Sequence, residues 1–184
     1  MKLSKDKNDV YILDDAMVKY LNNLNSVDLF PSELRPPSLN EKVAIIKRDE
    51  TGGKCAVAIS TILKGETICY NDATRINRPI KYSWQISEHV HLIGPGALDH
   101  NCDKPTCIVN SQNNFVASRD IEKGELLTFN YLTTEYDMNV EFQCICGEQK
   151  CFSSIKGYKY LSNEDKDYVK SNFGISNYLV SMSE

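Results

Sequence analysis

Three cysteines fall within eight residues in Cys144-Ile145-Cys146-Gly147-Glu148-Gln149-Lys150-Cys151, and this cluster restricts the possible folds more than any other feature of the chain. The other four, Cys55, Cys69, Cys102 and Cys107, are scattered, and an odd total of seven suits a disulfide framework poorly. Clustered thiolates favour a soft, tetrahedral metal, and structural zinc takes four such ligands in a closed site. Three ligands are then local and the fourth lies elsewhere in the chain. Reduced or redox-paired thiols are the competing reading.

The chain of 184 residues is the size of one domain. With 21 basic against 25 acidic residues the formal charge is -4, which gives no long-range attraction toward nucleic-acid phosphates, and no direct nucleic-acid partner is expected. No secretory h-region and no run of about 18 apolar residues is present, so no membrane partner is expected either. The expectation is a soluble, intracellular protein, cytoplasmic or, in a eukaryote, nuclear.

Asp14 or Asp15 is placed to cap a helix with apolar positions at Met17, Tyr20, Leu21 and Leu24. The prolines between Phe30-Pro31 and Pro37 then make a connector. Short strands are predicted over 42–46, 54–59, 66–70, 81–86, 89–92, 106–109, 115–118 and 125–131, with turns at Thr51-Gly52-Gly53 and Leu63-Lys64-Gly65. Ser162-Asn163-Glu164-Asp165 reads as a capping box opening a helix of about two turns that Gly174 closes. The chain therefore reads as mainly β with short terminal helices.

The order of several motifs resembles that of the SET-domain protein-lysine methyltransferases. Gly53-Lys54-Cys55-Ala56-Val57-Ala58 and Lys64-Gly65-Glu66 are similar to the family's opening hairpin and turn. Asp99-His100-Asn101-Cys102-Asp103 is similar to its central stretch, and Gly124-Glu125-Leu126-Leu127-Thr128-Phe129-Asn130-Tyr131 to its next signature. The cysteine cluster and Ile155-Lys156-Gly157-Tyr158 resemble the zinc-bearing post-SET segment. The resemblance implies a SET domain of short curved sheets with a pseudoknotted active site over 41–135. An N-terminal helical and connector extension (1–40), a post-SET segment (136–160) and a C-terminal helical tail (161–184) complete the division.

The implied activity is S-adenosylmethionine-dependent N-methylation of a lysine on a protein or peptide. The alternative is a non-catalytic SET-like module that binds a partner and has lost the cofactor. The resemblance gives Tyr131 the catalytic role and gives Phe129 control of product multiplicity, its lack of a hydroxyl favouring di- or trimethylation. Tyr82 and Trp84 alternate along one strand and so face one way, suiting Tyr82 to the donor and Trp84 to the lysine channel beside Phe129 and Tyr131. Backbone groups of Lys54, Cys55 and Ala56 would cradle the donor's amino-acid end with Gly53 supplying the turn, His100 would offer its main chain to the adenine beside Asp99, and Phe152 would stack over the donor. Cys102 joins Cys144, Cys146 and Cys151 as zinc ligand, with Cys107 the competing fourth. Cys55 stands where the family usually has glycine and Asp99 where it has asparagine. Little chain is left for the insert that builds the peptide groove of larger members, so acceptor contacts are expected on the two termini.

Overall fold

The computed structural model describes residues 3–48 and 53–182, so Thr51 and Gly52 of the expected turn lie outside the described residues. The chain begins with β1 (Ser4–Lys5), β2 (Tyr11–Ile12) and α1 (Asp15–Asn22), followed by β3 (Val43–Lys47), β4 (Lys54–Ala58) and β5 (Thr67–Cys69). Next come β6 (Arg75–Ile76), β7 (Ser83–Ser87), β8 (Val90–Ile93), β9 (Asp99–His100), β10 (Cys107–Val109) and β11 (Phe115–Ala117). The last elements are β12 (Thr128–Phe129), β13 (Phe142–Gln143), β14 (Ser154–Ile155), α2 (Asn163–Phe173) and α3 (Asn177–Ser181). The mainly β reading holds, with the strands of the described residues arranged in five sheets of two to five strands.

Both expected caps form. Asp14 Oδ1 accepts from Met17 N–H at 2.7 Å, and Ser162 Oγ accepts from Asp165 N–H at 3.1 Å, each satisfying an amide that the first helical turn leaves unpaired. In α1, Met17 and Leu21 are buried while Tyr20 faces outward. Gly174 closes α2, which runs to 11 residues, longer than expected.

The first forty residues do more than extend the body. Two of their strands continue a five-stranded sheet in the order β1-β2-β6-β8-β7. Leu13, Met17, Leu21 and Leu34 share one core with Ile76, Ile80 and Ile93. Leu21 has no exposed surface, so Leu21→Ala is expected to cost about 2–5 kcal/mol through lost burial and the cavity left behind. A urea-melt midpoint unchanged from the parent would contradict this packing.

The predicted strand over 125–131 is regular only at Thr128–Phe129, where it pairs in parallel with β9 in the register Thr128↔Asp99 and Phe129↔His100. It ends there because Asn130 turns the chain. This buried side chain accepts from Leu132 N–H at 3.0 Å and donates to the Cys102 carbonyl at 2.9 Å, opening a 3-10 turn at Tyr131–Thr133. The two central motifs thus lie side by side. The segment after Tyr131 is held by the C-terminal part of the chain, with Tyr158 N–H donating to the Glu135 carbonyl at 2.8 Å and Met138 N–H to the Lys156 carbonyl at 2.8 Å. Gly157 allows this approach at φ +124°, since a Cβ there would lie 2.6 Å from the Tyr136 carbonyl oxygen.

Candidate functional site

A cavity of about 280 Å³ opens where β7, the segment before β9 and the turn after β12 meet. Its walls are a run of aromatic side chains. Trp84 packs on Phe115 at 5.1 Å between ring centroids, Phe115 on Phe129 at 4.6 Å, Phe129 on Tyr131 at 4.6 Å, and Tyr131 on Phe142 at 5.9 Å. Tyr82 also lines the cavity, braced from behind by Phe30 at 6.2 Å. Such walls exclude water and present ring faces that attract cations.

Polar groups punctuate the walls. The Tyr131 hydroxyl donates to the Leu98 carbonyl at 2.7 Å, which fixes the oxygen. Burial, with Asp99 and Glu135 nearby, holds this phenol above its ordinary value, so it stays protonated near neutrality and orients neighbours without acting as a base. Asp99 is raised by burial, and Arg48 opposes that shift through an ion pair. Lys54 lines the cavity and pairs with Asp28. Glu135 is pushed up to about 8 by burial. The buried indole N–H of Trp84 finds no hydrogen-bond partner among the described residues.

Beneath the cavity, His100 links the aromatic site to the cysteines. Its Nδ1 accepts from Tyr131 N–H at 3.1 Å, which leaves the Nε2 proton facing Cys102 Sγ at 3.1 Å. Burial lowers this imidazole to about 4, so it is neutral. The sulfurs of Cys102, Cys144, Cys146 and Cys151 lie within 4.8 Å of one another, with Cys102 at 3.6 Å from Cys144 and 3.9 Å from Cys151. Zinc–sulfur bonds of about 2.3 Å in a tetrahedron require sulfurs about 3.8 Å apart, so the donor set fits a zinc ion. Backbone amides support the sulfur charge: Cys146 N–H points at Cys144 Sγ, Phe152 N–H at Cys102 Sγ and Ser153 N–H at Cys151 Sγ, each at 3.4 Å. Cys107 stands apart from the cluster, buried in the core that also holds Cys69.

The structure brings together Lys54, Tyr82, Trp84, Asp99, Phe129 and Tyr131 around one cavity. It does not bring the others there. Ala56 N–H donates to the Ala97 carbonyl and its own carbonyl accepts from Leu127 N–H, both at 2.8 Å, so its amide proton is already engaged within the fold. Gly53 and Cys55 stay in the hairpin, with Cys55 buried, and the imidazole of His100, though not its main chain, is engaged by the sulfurs. Phe152 packs against Tyr168 of α2 at 6.4 Å, because its amide is drawn to Cys102 and its ring follows the C-terminal core. Among the described residues, none that lines the cavity comes from 1–40 or from beyond Phe142. Sequence reasoning missed Arg48, Phe115, Glu135 and Phe142. Only Phe142 carried a local signal, an aromatic two residues before Cys144.

No family model matches the chain. A stretch of 67 residues, 33% of the chain, is 34% identical to the histone-lysine N-methyltransferase, H3 lysine-36 specific, of Mycosarcoma maydis. The match covers 7% of that protein, so the chain spans a small fraction of its length. Among solved structures the chain is similar to KRYPTONITE in complex with mCHG DNA and SAH, at a TM-score of 0.46 and 16% identity, covering 63% of this chain and 29% of that one. It is similar to the methyltransferase domain of human SETMAR at 0.46 and 14%, covering 67% and 61%. CpSET8 from Cryptosporidium aligns at 0.38 and 23%, covering 48% and 56%. The sequence likeness is to a histone-lysine N-methyltransferase over one third of the chain.

Proposed function

We propose that this protein is a SET-type, S-adenosylmethionine-dependent protein-lysine N-methyltransferase. The observation that carries the reading is the aromatic cavity around a Tyr131 hydroxyl pinned to the Leu98 carbonyl. Transfer to an amine needs a neutral nitrogen aligned with the bond that breaks, and an apolar cavity disfavours the ammonium form. When bound, S-adenosylmethionine supplies the methyl group as a sulfonium. Tyr131 orients the reacting groups through an oxygen that needs no rearrangement during the reaction. Tyr82 and Trp84 offer ring faces to cationic groups, and Asp99 and Lys54 line the same cavity, each in an ion pair. The Arg48 pairing bears on the departure at Asp99, since the added negative charge has a cation beside it.

Cys102, Cys144, Cys146 and Cys151 are the proposed zinc ligands. Their role is structural: the site ties the segment from Phe142 to Ile155 to the Cys102 motif, and His100 carries that anchorage to Tyr131.

Phe129 is the proposed control on product multiplicity. Adding a hydroxyl beside the amine, as in Phe129→Tyr, is expected to shift product toward monomethyl-lysine, read by mass spectrometry of the acceptor. An unchanged product ladder would remove Phe129 from this role.

The relative from Mycosarcoma maydis is described as acting on lysine 36 of histone H3, which makes histone H3 the first acceptor to try. Transfer of isotopically labelled methyl groups from S-adenosylmethionine into lysine of core histones or poly-L-lysine, lost in Tyr131→Phe, tests the reading. Donor binding without transfer to either acceptor pool would favour a partner-binding module.

A further inference from the structure

The cavity holds one carboxyl that the roles above leave unused. Glu135 lines it together with Phe129, Tyr131 and Phe142. Its backbone is fixed at both ends, its N–H donating to the Tyr131 carbonyl at 2.9 Å and its carbonyl accepting from Tyr158. The carboxyl is near enough to the Tyr131 hydroxyl to raise that phenol, and its own hydrogen bond is with Thr134.

The charged groups around Glu135 are occupied elsewhere. Asp99 pairs with Arg48 and Lys54 with Asp28. Lys81 lies over the Tyr82 ring at 5.1 Å. Lys159 pairs with Asp137 at 2.5 Å, and Lys166 lies over Tyr158 at 5.7 Å. Tyr136 packs on Tyr178. Among the described residues no cation pairs with Glu135. A half-buried carboxyl without a cation, in a cavity that disfavours an ammonium, gives the proton of the target amine a place to go.

We propose that Glu135 is the proton acceptor for the target lysine, an inference that rests on the methyltransferase reading. An Nζ–H bond of the ammonium breaks and an Oε–H bond forms on Glu135, leaving a neutral amine beside a neutral carboxylic acid before the methyl group moves. Two neutral groups suit a water-poor cavity better than an ion pair. The acid returns its proton to solvent as the product leaves.

The chemistry is matched in strength. An ordinary glutamate near 4.3 is a poor base toward an amine near 10.4, whereas burial drives the two values toward each other. At about 8, Glu135 is partly ionised near neutrality and accepts a proton far more readily. Because it must be ionised to act, transfer is expected to rise with pH through about 8.

The test follows the rate of methyl transfer into core histones and poly-L-lysine across pH, for the parent, Glu135→Gln and Tyr131→Phe. Glu135→Gln is expected to lose about 10²–10⁴-fold at neutral pH, the range typical of a removed general base. Its rising limb should move up by about two pH units, toward the amine's own value, with binding of S-adenosylmethionine retained. Tyr131→Phe should lower the rate without moving the limb. A Glu135→Gln variant with the parent's rate and limb overturns the assignment, as does a carboxyl ¹³C titration placing Glu135 at an ordinary glutamate value. No transfer by the parent to either pool defeats the methyltransferase reading, and the role of Glu135 with it.

Discussion

Cys102→Ser is expected to purify without stoichiometric zinc and to melt well below the parent, whereas Cys107→Ser keeps its metal. Cys102 is wholly buried and its sulfur touches Cys144, Cys151, the Phe152 amide and His100. Losing it leaves three thiolates, two strands of two residues each at β13 and β14, and a small core of Leu132 and Ile155 to hold the segment. Structural zinc contributes about 10–16 kcal/mol of apparent binding energy in zinc-finger peptides, so an ion bound in the proposed site would supply much of what holds this segment. A chelator should reproduce the effect in the parent. Metal content by atomic emission is the readout, and a full complement in Cys102→Ser, or a loss in Cys107→Ser, would refute the ligand set.

Tyr131→Phe is expected to lower methyl transfer by about 10²–10³-fold, the scale on which removing one preorganised oxygen from a reacting site is felt. The ring contacts with Phe129, His100 and Phe142 survive the change, and donor binding should stay within a few-fold. The Leu98 carbonyl loses its partner, at a stability cost of about 1–3 kcal/mol. A fall in rate beyond that of a comparably destabilised variant such as Leu21→Ala separates chemistry from folding. Equal losses in the two would reduce Tyr131 to a packing residue.

Chain-local signals reached far in this sequence. The cysteine trio, both helix caps and most strand positions follow from spacing and turn residues, because each is set by neighbours within a few positions. Phe129 and Tyr131 emerged from motif order, and the structure places their rings 4.6 Å apart. What stayed hidden depends on contacts made across the fold. Arg48 meets Asp99 from 51 residues away, and Phe115 meets Phe129 from a strand in another sheet. β1 and β2 are two residues long, too short for alternation to be visible, so the N-terminal stretch read as helix and connector. Ala56 and Phe152 lie away from the aromatic cavity, since backbone hydrogen bonding engages one and packing on α2 holds the other.

Calorimetric titration of the zinc-replete protein with S-adenosylmethionine, with Asp99→Asn alongside, tests the central claim without knowledge of the acceptor. The expected result is saturable binding near one molecule per chain in the parent, with the variant also binding. No binding by the parent, restored in Asp99→Asn, would mean a SET-like scaffold that has given up the reaction; no binding by either would mean that the aromatic cavity serves something other than methyl transfer.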